Sequence, residues 1–311
     1  MTNQELESIV NTTDEWIVTR TGIRQRHQAR PDETTSDMAA EAARRALAAA
    51  EVSAEDIDLI LVGTISPDMP LPSTAMFVQR KIGARPTCPG FDFAAACAGF
   101  IYGLSVADAF IRAGSARNVL VIGVELLSRL VDWEDRATCV LFGDGAGAAV
   151  IGPSDDPAQG ILSTHLYADA SGIEALNIPG GGSANPPSVE MLEKKQHLVH
   201  MVGKDVFKFA VKSLASATVT AIEHNQLSPD DIDWVIPHQA NIRILEGVQK
   251  RSGVPMDRFF INIDRTANTS SASVPIALDQ AVRSGQVRKG HNLVFCALGG
   301  GIAWGSAAVR W

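Results

Sequence analysis

The sequence predicts an α/β protein built from one unit used twice, and three observations carry that prediction. The run Val52-Ser53-Ala-Glu-Asp-Ile-Asp58-Leu-Ile-Leu61 returns 175 residues later as Leu227-Ser228-Pro-Asp-Asp-Ile-Asp233-Trp-Val-Ile236. A second echo, Ala113-Gly114-Ser-Ala-Arg117, returns 171 residues later as Ser284-Gly285-Gln-Val-Arg288. Around these markers, helical and strand-like patterns alternate, which argues for largely parallel sheets with helices packed on their faces.

The elements follow in the same order in each half. Helix-like stretches, Ser36 to Ala50 and Val206 to His224, precede the two Ser-x-x-Asp-Ile-Asp markers, and an apolar strand follows each. A second helix and strand come next. The apolar run Phe93 to Ala107 then turns a corner into a long helix, as Val274 to Ala281 does in the second half. Each half closes on a pair of strands with a Gly-rich turn, Gly143-Asp-Gly145 or Gly299-Gly-Gly301. The halves divide as 1–157 and 158–311. The segment from Ser171 to His200 lacks periodicity, holds Pro179-Gly-Gly-Gly182 and Pro186-Pro187, and reads as a long loop or small insertion.

Composition narrows the function classes. With 311 residues, 46% hydrophobic and 20% charged, a large core is available and disorder is not expected. A net charge of −8 argues against a nucleic-acid partner. Cys88, Cys97, Cys139 and Cys296 show no C-x-x-C spacing and read as reduced thiols of a cytoplasmic protein that needs no metal. The polar, acidic opening Met1-Thr-Asn-Gln-Glu-Leu-Glu7 is unlike a signal peptide. The most apolar run, Phe93 to Ala107, falls short of a bilayer span and lies between Asp92 and Asp108, so no membrane partner is expected. Gly143-Asp-Gly145-Ala-Gly147 is not a nucleotide loop, because no Gly-Lys-Ser/Thr follows and Ala148 to Ile151 continues as a strand.

Three segments carry chemistry. In Phe93-Ala-Ala-Ala-Cys97-Ala-Gly99-Phe100 a strand-like run delivers a thiol to the start of a helix, where unpaired N–H groups and the positive end of the helix dipole favour thiolate. In Trp234-Val-Ile-Pro237-His238-Gln239-Ala240-Asn241 a histidine sits at the C-terminal end of a strand, where α/β proteins collect functional groups. The third segment, Asp264 to Ser273, places Asn268 before a helix, and 171 residues separate it from Cys97, as in the second echo. Taken singly, each has a structural explanation: a buried apolar cysteine, a turn or capping histidine, a capping asparagine.

Together these segments resemble the β-ketoacyl-[acyl-carrier-protein] synthase III family of the thiolase superfamily. The matching stretches are Thr13-Asp-Glu-Trp-Ile-Val-Thr-Arg-Thr-Gly-Ile-Arg24, the Cys97 segment, Phe142-Gly-Asp-Gly-Ala-Gly-Ala-Ala149, Pro237-His-Gln-Ala-Asn241, Asn268-Thr-Ser270 and Gly299-Gly-Gly301, which run through nearly the whole chain in family order. The resemblance implies the duplicated five-layer αβαβα thiolase fold. It also implies a decarboxylative Claisen condensation with no cofactor. Cys97 takes an acyl group from acyl-CoA as a thioester; malonyl on acyl carrier protein loses CO2, and the carbanion attacks that thioester. His238 and Asn268 become the donors to the enolate oxygen, and the Cys97 and Gly300 N–H groups the oxyanion hole. The chain departs from thiolases proper, which need a second cysteine two residues before the Gly triplet; Cys296 is one position off, so its side chain is expected to face the other way.

The resemblance further implies Trp16 and Arg136 around the adenine of CoA, Arg20 near its phosphates, and Gly203, Ala240 and Asn241 along the pantetheine channel. Leu71 and Leu298 fall to the acyl pocket, Leu71 across the interface of a homodimer. Lys204, Lys208 and Lys212, every four residues on one helix, together with Arg243, Lys250 and Arg251, are expected to receive the acidic acyl carrier protein. Family members usually begin with a further strand before the Thr13 region, so a first-half sheet short of an edge strand is expected. The same catalytic set would serve a specialised acyl transferase or condensing enzyme of secondary metabolism. A papain-like hydrolase, which needs its Asn to orient the His, fits the duplicated pattern poorly.

Overall fold

The computed structural model describes residues 1–311. The first half contains α1 (Asn3–Leu6), α2 (Asp14–Thr21), α3 (Thr35–Ala50), β1 (Leu59–Gly63), α4 (Thr74–Ile82), β2 (Gly90–Phe93), α5 (Gly99–Arg112), β3 (Val119–Glu125), α6 (Arg136–Cys139) and β4 (Gly145–Ile151). The second contains β5 (Gly160–Ala168), β6 (Leu176–Asn177), α7 (Val189–Glu193), β7 (His200–Met201), α8 (Gly203–His224), β8 (Trp234–Pro237), α9 (Ile242–Ser252), α10 (Ile263–Thr266), α11 (Ser273–Arg283), β9 (Asn292–Gly299) and β10 (Ala303–Arg310). Helix starts follow capping chemistry: Thr34 accepts from the Asp37 N–H while Asp37 reaches back to Thr34, closing a capping box on α3.

Each half contributes a four-stranded sheet, ordered β2-β1-β3-β4 and β5-β10-β9-β8. β1 pairs parallel with β2 and β3, and β4 joins antiparallel. β8 and β9 are parallel, and β10 and β5 follow antiparallel. Strands buried on both faces need apolar residues at every position, and β1 and β3 are buried throughout. Alternate residues divide between layers. Ile60, Val62, Leu120 and Ile122 pack on α3 and α4, while Leu59, Leu61, Val119 and Val121 face α5 and α11. From the other sheet Leu293, Phe295 and Ala297 meet the same middle helices, and Val294, Cys296 and Leu298 pack on α8 and α9. The result is helices, sheet, helices, sheet, helices: the thiolase-like five-layer α/β fold, with one core running through its middle layer.

Three details depart from a plain duplication. The second strand of the second half shrinks to a single parallel bridge, Val235 to Phe259. The Gln239 side chain takes the backbone groups a strand would pair, donating to the Phe260 carbonyl and accepting from the Asn262 and Ile263 N–H groups. At the opposite edge, β10 carries β5 as a partner, whereas the outer edge of β4 carries none. A groove of about 810 Å³ runs along it between α3 and α11, lined by Ala146, Ala148, Met38 and Ile276. The segment 171–200 is no plain loop either. A 3-10 helix (Ala170–Ala175), the β6–β7 ribbon and α7 fold it back over the first half, where Val199 N–H bonds to the Leu130 carbonyl.

Candidate active site

β2 ends at Phe93, and a single 3-10 turn, Ala96–Ala98, runs straight into α5. Ala96 holds a left-handed φ of +44°, a strained conformation for a residue with a Cβ, and this kink aims Cys97 away from the strand. Cys97 is buried and opens onto a cavity of about 280 Å³. Ile65, Leu127 and Phe142 line one side, and Ile173, Leu176 and Ile178 of the folded-back segment line the other. Burial pushes the thiol up to about 12. The Ser270 hydroxyl, on the same cavity, opposes that shift, the Glu125 carboxylate adds to it, and the residue's own backbone N–H again opposes it. Helix position and burial therefore pull in opposite directions, an opposition the sequence reading did not include.

Asn268 stands at the corresponding corner of the second half. Its backbone is clamped to the first half: its N–H donates to the Leu141 carbonyl at 2.9 Å, and its carbonyl accepts from Gly143 N–H at 3.0 Å. Its Oδ1 accepts from the Ser270 N–H at 2.9 Å, which orients the side chain and leaves the amide NH2 to donate. The turn Ser270–Ala272 presses onto β3 so closely that a Cβ on Gly123 would overlap the Ser271 carbonyl, so only glycine fits there. Ser271 also donates to the Gly63 carbonyl at 2.8 Å.

His238 follows Pro237 at the end of β8. Its N–H donates to the Cys296 carbonyl at 2.7 Å, and the next N–H, of Gln239, donates to Ser273 Oγ at 3.0 Å. The imidazole is 2% exposed; burial pulls its pKa down to about 3, so the ring is neutral at pH 7 and carries one N–H. Its Nδ1 is buried without a protein partner. β9 ends against the Cys97 corner: a Cβ on Gly299 would lie 2.7 Å from the Cys97 nitrogen, and Gly300 lines the cavity itself.

The remaining predicted residues fall into separate places. Arg20 and Arg136 both rest on Trp16, their guanidinium carbons 4.7 and 4.6 Å from the ring centroid. Arg136 also donates to the Asn11 carbonyl at 3.0 Å. A purine stacking between Trp16 and Arg136 therefore requires the guanidinium to swing off the indole. Gly203 opens α8 with only the Met201 side chain beside its Cα, Ala240 is half-buried, and Asn241 caps α9 by accepting from Arg243 N–H. Lys204, Lys208 and Lys212 on α8, and Arg243, Lys250 and Arg251 on α9, are exposed, as are Val202 and Phe207 beside the first lysines. Leu71 is 82% exposed.

Leu298 corrects an expectation. It packs between β9 and the outer helices α8 and α9, not in the cavity, because the two-residue period of a strand puts it on the same face as Cys296. Cys296 does face away from the middle layer, as its offset implied, and Ala297 holds the inward position. Sequence reasoning missed Glu125, Ser270 and the cavity wall at 173–178. A carboxylate closing the apolar run Val119 to Val124 was the signal for the first, and Ser270 lay inside a quoted motif.

Two family models match the chain: 3-oxoacyl-[acyl-carrier-protein] synthase III over residues 91–170 and its C-terminal counterpart over residues 222–311. The β-ketoacyl-[acyl-carrier-protein] synthase III of Caldanaerobacter subterraneus subsp. tengcongensis is 50% identical over 311 residues, all of this chain and 93% of its own. The protein of that name from Xanthomonas campestris pv. campestris is 52% identical over 313 residues, 100% of this chain and 94% of its own. Among solved structures, 3-oxoacyl-[acyl-carrier-protein] synthase III of Aquifex aeolicus superposes with a TM-score of 0.93 at 44% identity, covering 100% of this chain and 95% of that one. The synthase III of Thermus thermophilus gives 0.92 at 41%, with the same coverage. A cysteine corner, a mirrored asparagine corner and a neutral buried histidine thus sit in a frame shared end to end with these proteins, and the chain belongs to the β-ketoacyl-[acyl-carrier-protein] synthase III family.

Proposed function

We propose that the protein joins an acyl primer, carried in as its CoA thioester, to malonyl on acyl carrier protein, releasing CO2 and giving the β-ketoacyl carrier that starts fatty acid synthesis. The observation that carries this reading is the Cys97 thiol opening onto an apolar cavity, while the other half holds a neutral buried imidazole, His238, and a carboxamide oriented by the Ser270 N–H, Asn268. Cys97 Sγ attacks the primer thioester and CoA leaves as the thiol. The malonyl unit then loses CO2, and the enolate oxygen accepts hydrogen bonds from the His238 ring N–H and the Asn268 amide. Because both donors are neutral, neither changes protonation as the charge appears. The enolate carbon attacks the acyl thioester, the oxyanion accepts from the Cys97 and Gly300 N–H groups, and collapse returns Cys97.

The cavity holds the acyl chain, Trp16, Arg20 and Arg136 the nucleotide end of CoA, and Gly203, Ala240 and Asn241 the arm. The exposed lysines and arginines of α8 and α9, with Val202 and Phe207 among them, supply a mixed basic and apolar face for an acidic carrier protein. Met69 and Leu71, exposed on one loop, support a homodimer in which that loop enters the partner's pocket. No helix is long and apolar enough to cross a membrane, and the four cysteines are free and buried, which suits a reducing cytoplasm. Intact-protein mass after incubation with a panel of acyl-CoAs, followed by malonyl carrier, tests the reading. An acyl adduct that requires Cys97 and is discharged as β-ketoacyl carrier with CO2 is expected; no adduct on the folded protein would overturn it, and an adduct passed only to an amine or alcohol would favour a specialised transferase.

A further inference from the structure

Deprotonating Cys97 in a buried site requires an acceptor for its proton, and the obvious candidate is unsuitable. His238 is neutral and strongly resists a proton, since burial pulls it down to about 3. Another group lies one hydroxyl away. Glu125, the last residue of β3, is 0% exposed. Its Oε2 accepts from Ser66 Oγ at 2.7 Å, Ile65 N–H at 3.0 Å and Thr64 Oγ1 at 3.1 Å, all from the turn that follows β1. Its Oε1 accepts from Ser270 Oγ at 3.1 Å, and Ser270 lines the same cavity as Cys97 and lowers the pKa of its thiol. A serine hydroxyl that donates to Glu125 has its lone pairs left for an S–H, so a turn of the Cys97 thiol toward it completes a directed chain from thiol through hydroxyl to carboxylate.

We propose that Glu125 is the resident base for Cys97, acting through Ser270 as a two-step relay. The inference rests on Cys97 being the acyl-accepting nucleophile. The S–H bond breaks as a Ser270 O–H forms; the hydroxyl's former proton passes to Glu125 Oε1, leaving thiolate and carboxylic acid. When CoA departs from the tetrahedral adduct on Cys97, the proton returns through Ser270 to the leaving sulfur, and Glu125 is again a carboxylate. Throughout, the buried pair carries one negative charge. Ionising Cys97 to bulk solvent instead would place two negative charges side by side, and Glu125 already opposes that. Cys97 feels no charge other than Glu125; the turn after β1 and the turn before α11 bring only hydroxyls and N–H groups to the pair. Burial raises Glu125 to about 7, close to the pH at which a carboxylate exchanges a proton readily.

A carboxylate that merely stapled the turn after β1 to the Ser270 turn would affect stability but not the titration of Cys97, so the test reads that titration. Cys97 alkylation by iodoacetamide is followed from pH 5 to 10 by intact mass in wild type, E125Q, S270A and the double variant. Wild type should show a step near pH 7, followed by a plateau and a second, alkaline rise. Both single variants should lose the neutral step and react at least tenfold more slowly at pH 7.5, and the double variant no more slowly than either. S270A leaves the three bonds from Thr64, Ile65 and Ser66 to Glu125 in place, so it informs even if E125Q misfolds. A neutral step that survives in either single variant, or losses that multiply in the double variant, would overturn the relay. Alkylation needs no acyl substrate, so its outcome stands apart from acyl loading; if wild type alkylates as described yet loads no acyl-CoA, the proposed function fails and the relay does not.

Discussion

The two halves place the same backbone device at their shared centre and put different side chains on it. In each, a strand of the middle pair ends by pressing against the other half's corner. β3 ends against the turn Ser270–Ala272, and β9 ends against Ala95 to Cys97. The repeat and the strand registers match Leu59 and Val119 with Trp234 and Leu293, which puts Glu125 opposite Gly299 and Gly123 opposite Ala297. The first half thus carries a thiol, the proposed nucleophile, on its corner and a carboxylate on its strand end. The second carries an amide donor on its corner and a bare backbone on its strand end. Duplication supplies two facing corners; a few unlike residues divide the chemistry between them.

The largest effects should separate the corners. Cys97→Ala should abolish acyl loading and leave less than about a thousandth of the condensing rate. Asn268→Ala should load at the wild-type rate yet condense 10²- to 10³-fold more slowly, the usual loss of one oxyanion-type donor. Quenched-flow mass spectrometry resolves loading from condensation. Equal loss of both steps in Asn268→Ala would erase the division between the halves.

Packing at the strand ends should differ next. Gly123→Ala forces a Cβ into the Ser271 carbonyl and should destabilise the protein by about 3 kcal/mol in urea unfolding. Ala297→Gly, at the matching position, should cost only about 1 kcal/mol. Similar losses would mean that the strand ends are packed alike after all.

Glu125 in the first half and His238 in the second should oppose one another in pH. Glu125, raised from 4.5 to about 7, binds its proton more tightly folded than unfolded; its stabilisation is complete below pH 4.5 and is lost as pH rises through 7. His238, lowered from 6.5 to about 3, contributes fully above pH 6.5 and less as pH falls toward 3. Between pH 4.5 and 6.5 each contributes a slope of about 1.4 kcal/mol per unit, with opposite signs, so the wild-type stability should be flat with respect to this pair. E125Q should then gain stability as pH rises through that window, and H238N should lose it. Parallel urea midpoints for all three proteins at pH 4.5, 5.5 and 6.5 would show that the two groups do not oppose one another.

Much of this arrangement was legible in the sequence because it depends on short-range pattern. The doubled Ser-x-x-Asp-Ile-Asp marker placed β1 and β8, and the 171-residue spacing from Cys97 to Asn268 placed the two corners. What escaped depended on three-dimensional competition. The second strand of the second half failed because the Gln239 side chain captured its backbone groups, an event that no propensity records. Leu298 was misassigned although strand period alone puts it on the face of Cys296. The stretch 171–200 hid its role because a cavity wall needs only apolar residues in the right place, not a periodic run of them. Glu125 was overlooked because its partners come from the turn after β1 and from the Ser270 turn, 59 to 145 residues away in sequence.

The smallest effects should fall on the outer binding surfaces, and they ask whether the division extends beyond the centre. The proposed nucleotide contacts, Trp16, Arg20 and Arg136, all belong to the first half; the proposed carrier-protein face, from Lys204 to Arg251, belongs to the second. Arg136→Ala removes the guanidinium from Trp16 and should raise KM for the acyl-CoA by about tenfold, worth ~1.4 kcal/mol, with KM for malonyl carrier unchanged. Lys208→Glu should do the reverse, and its effect should shrink as salt rises, because that lysine is exposed and acts on its partner through screened charge. Steady-state kinetics with each substrate varied in turn distinguishes the two. If either variant raises both KM values together, the surfaces are not divided by half, and the separation seen at the centre stops at the two corners.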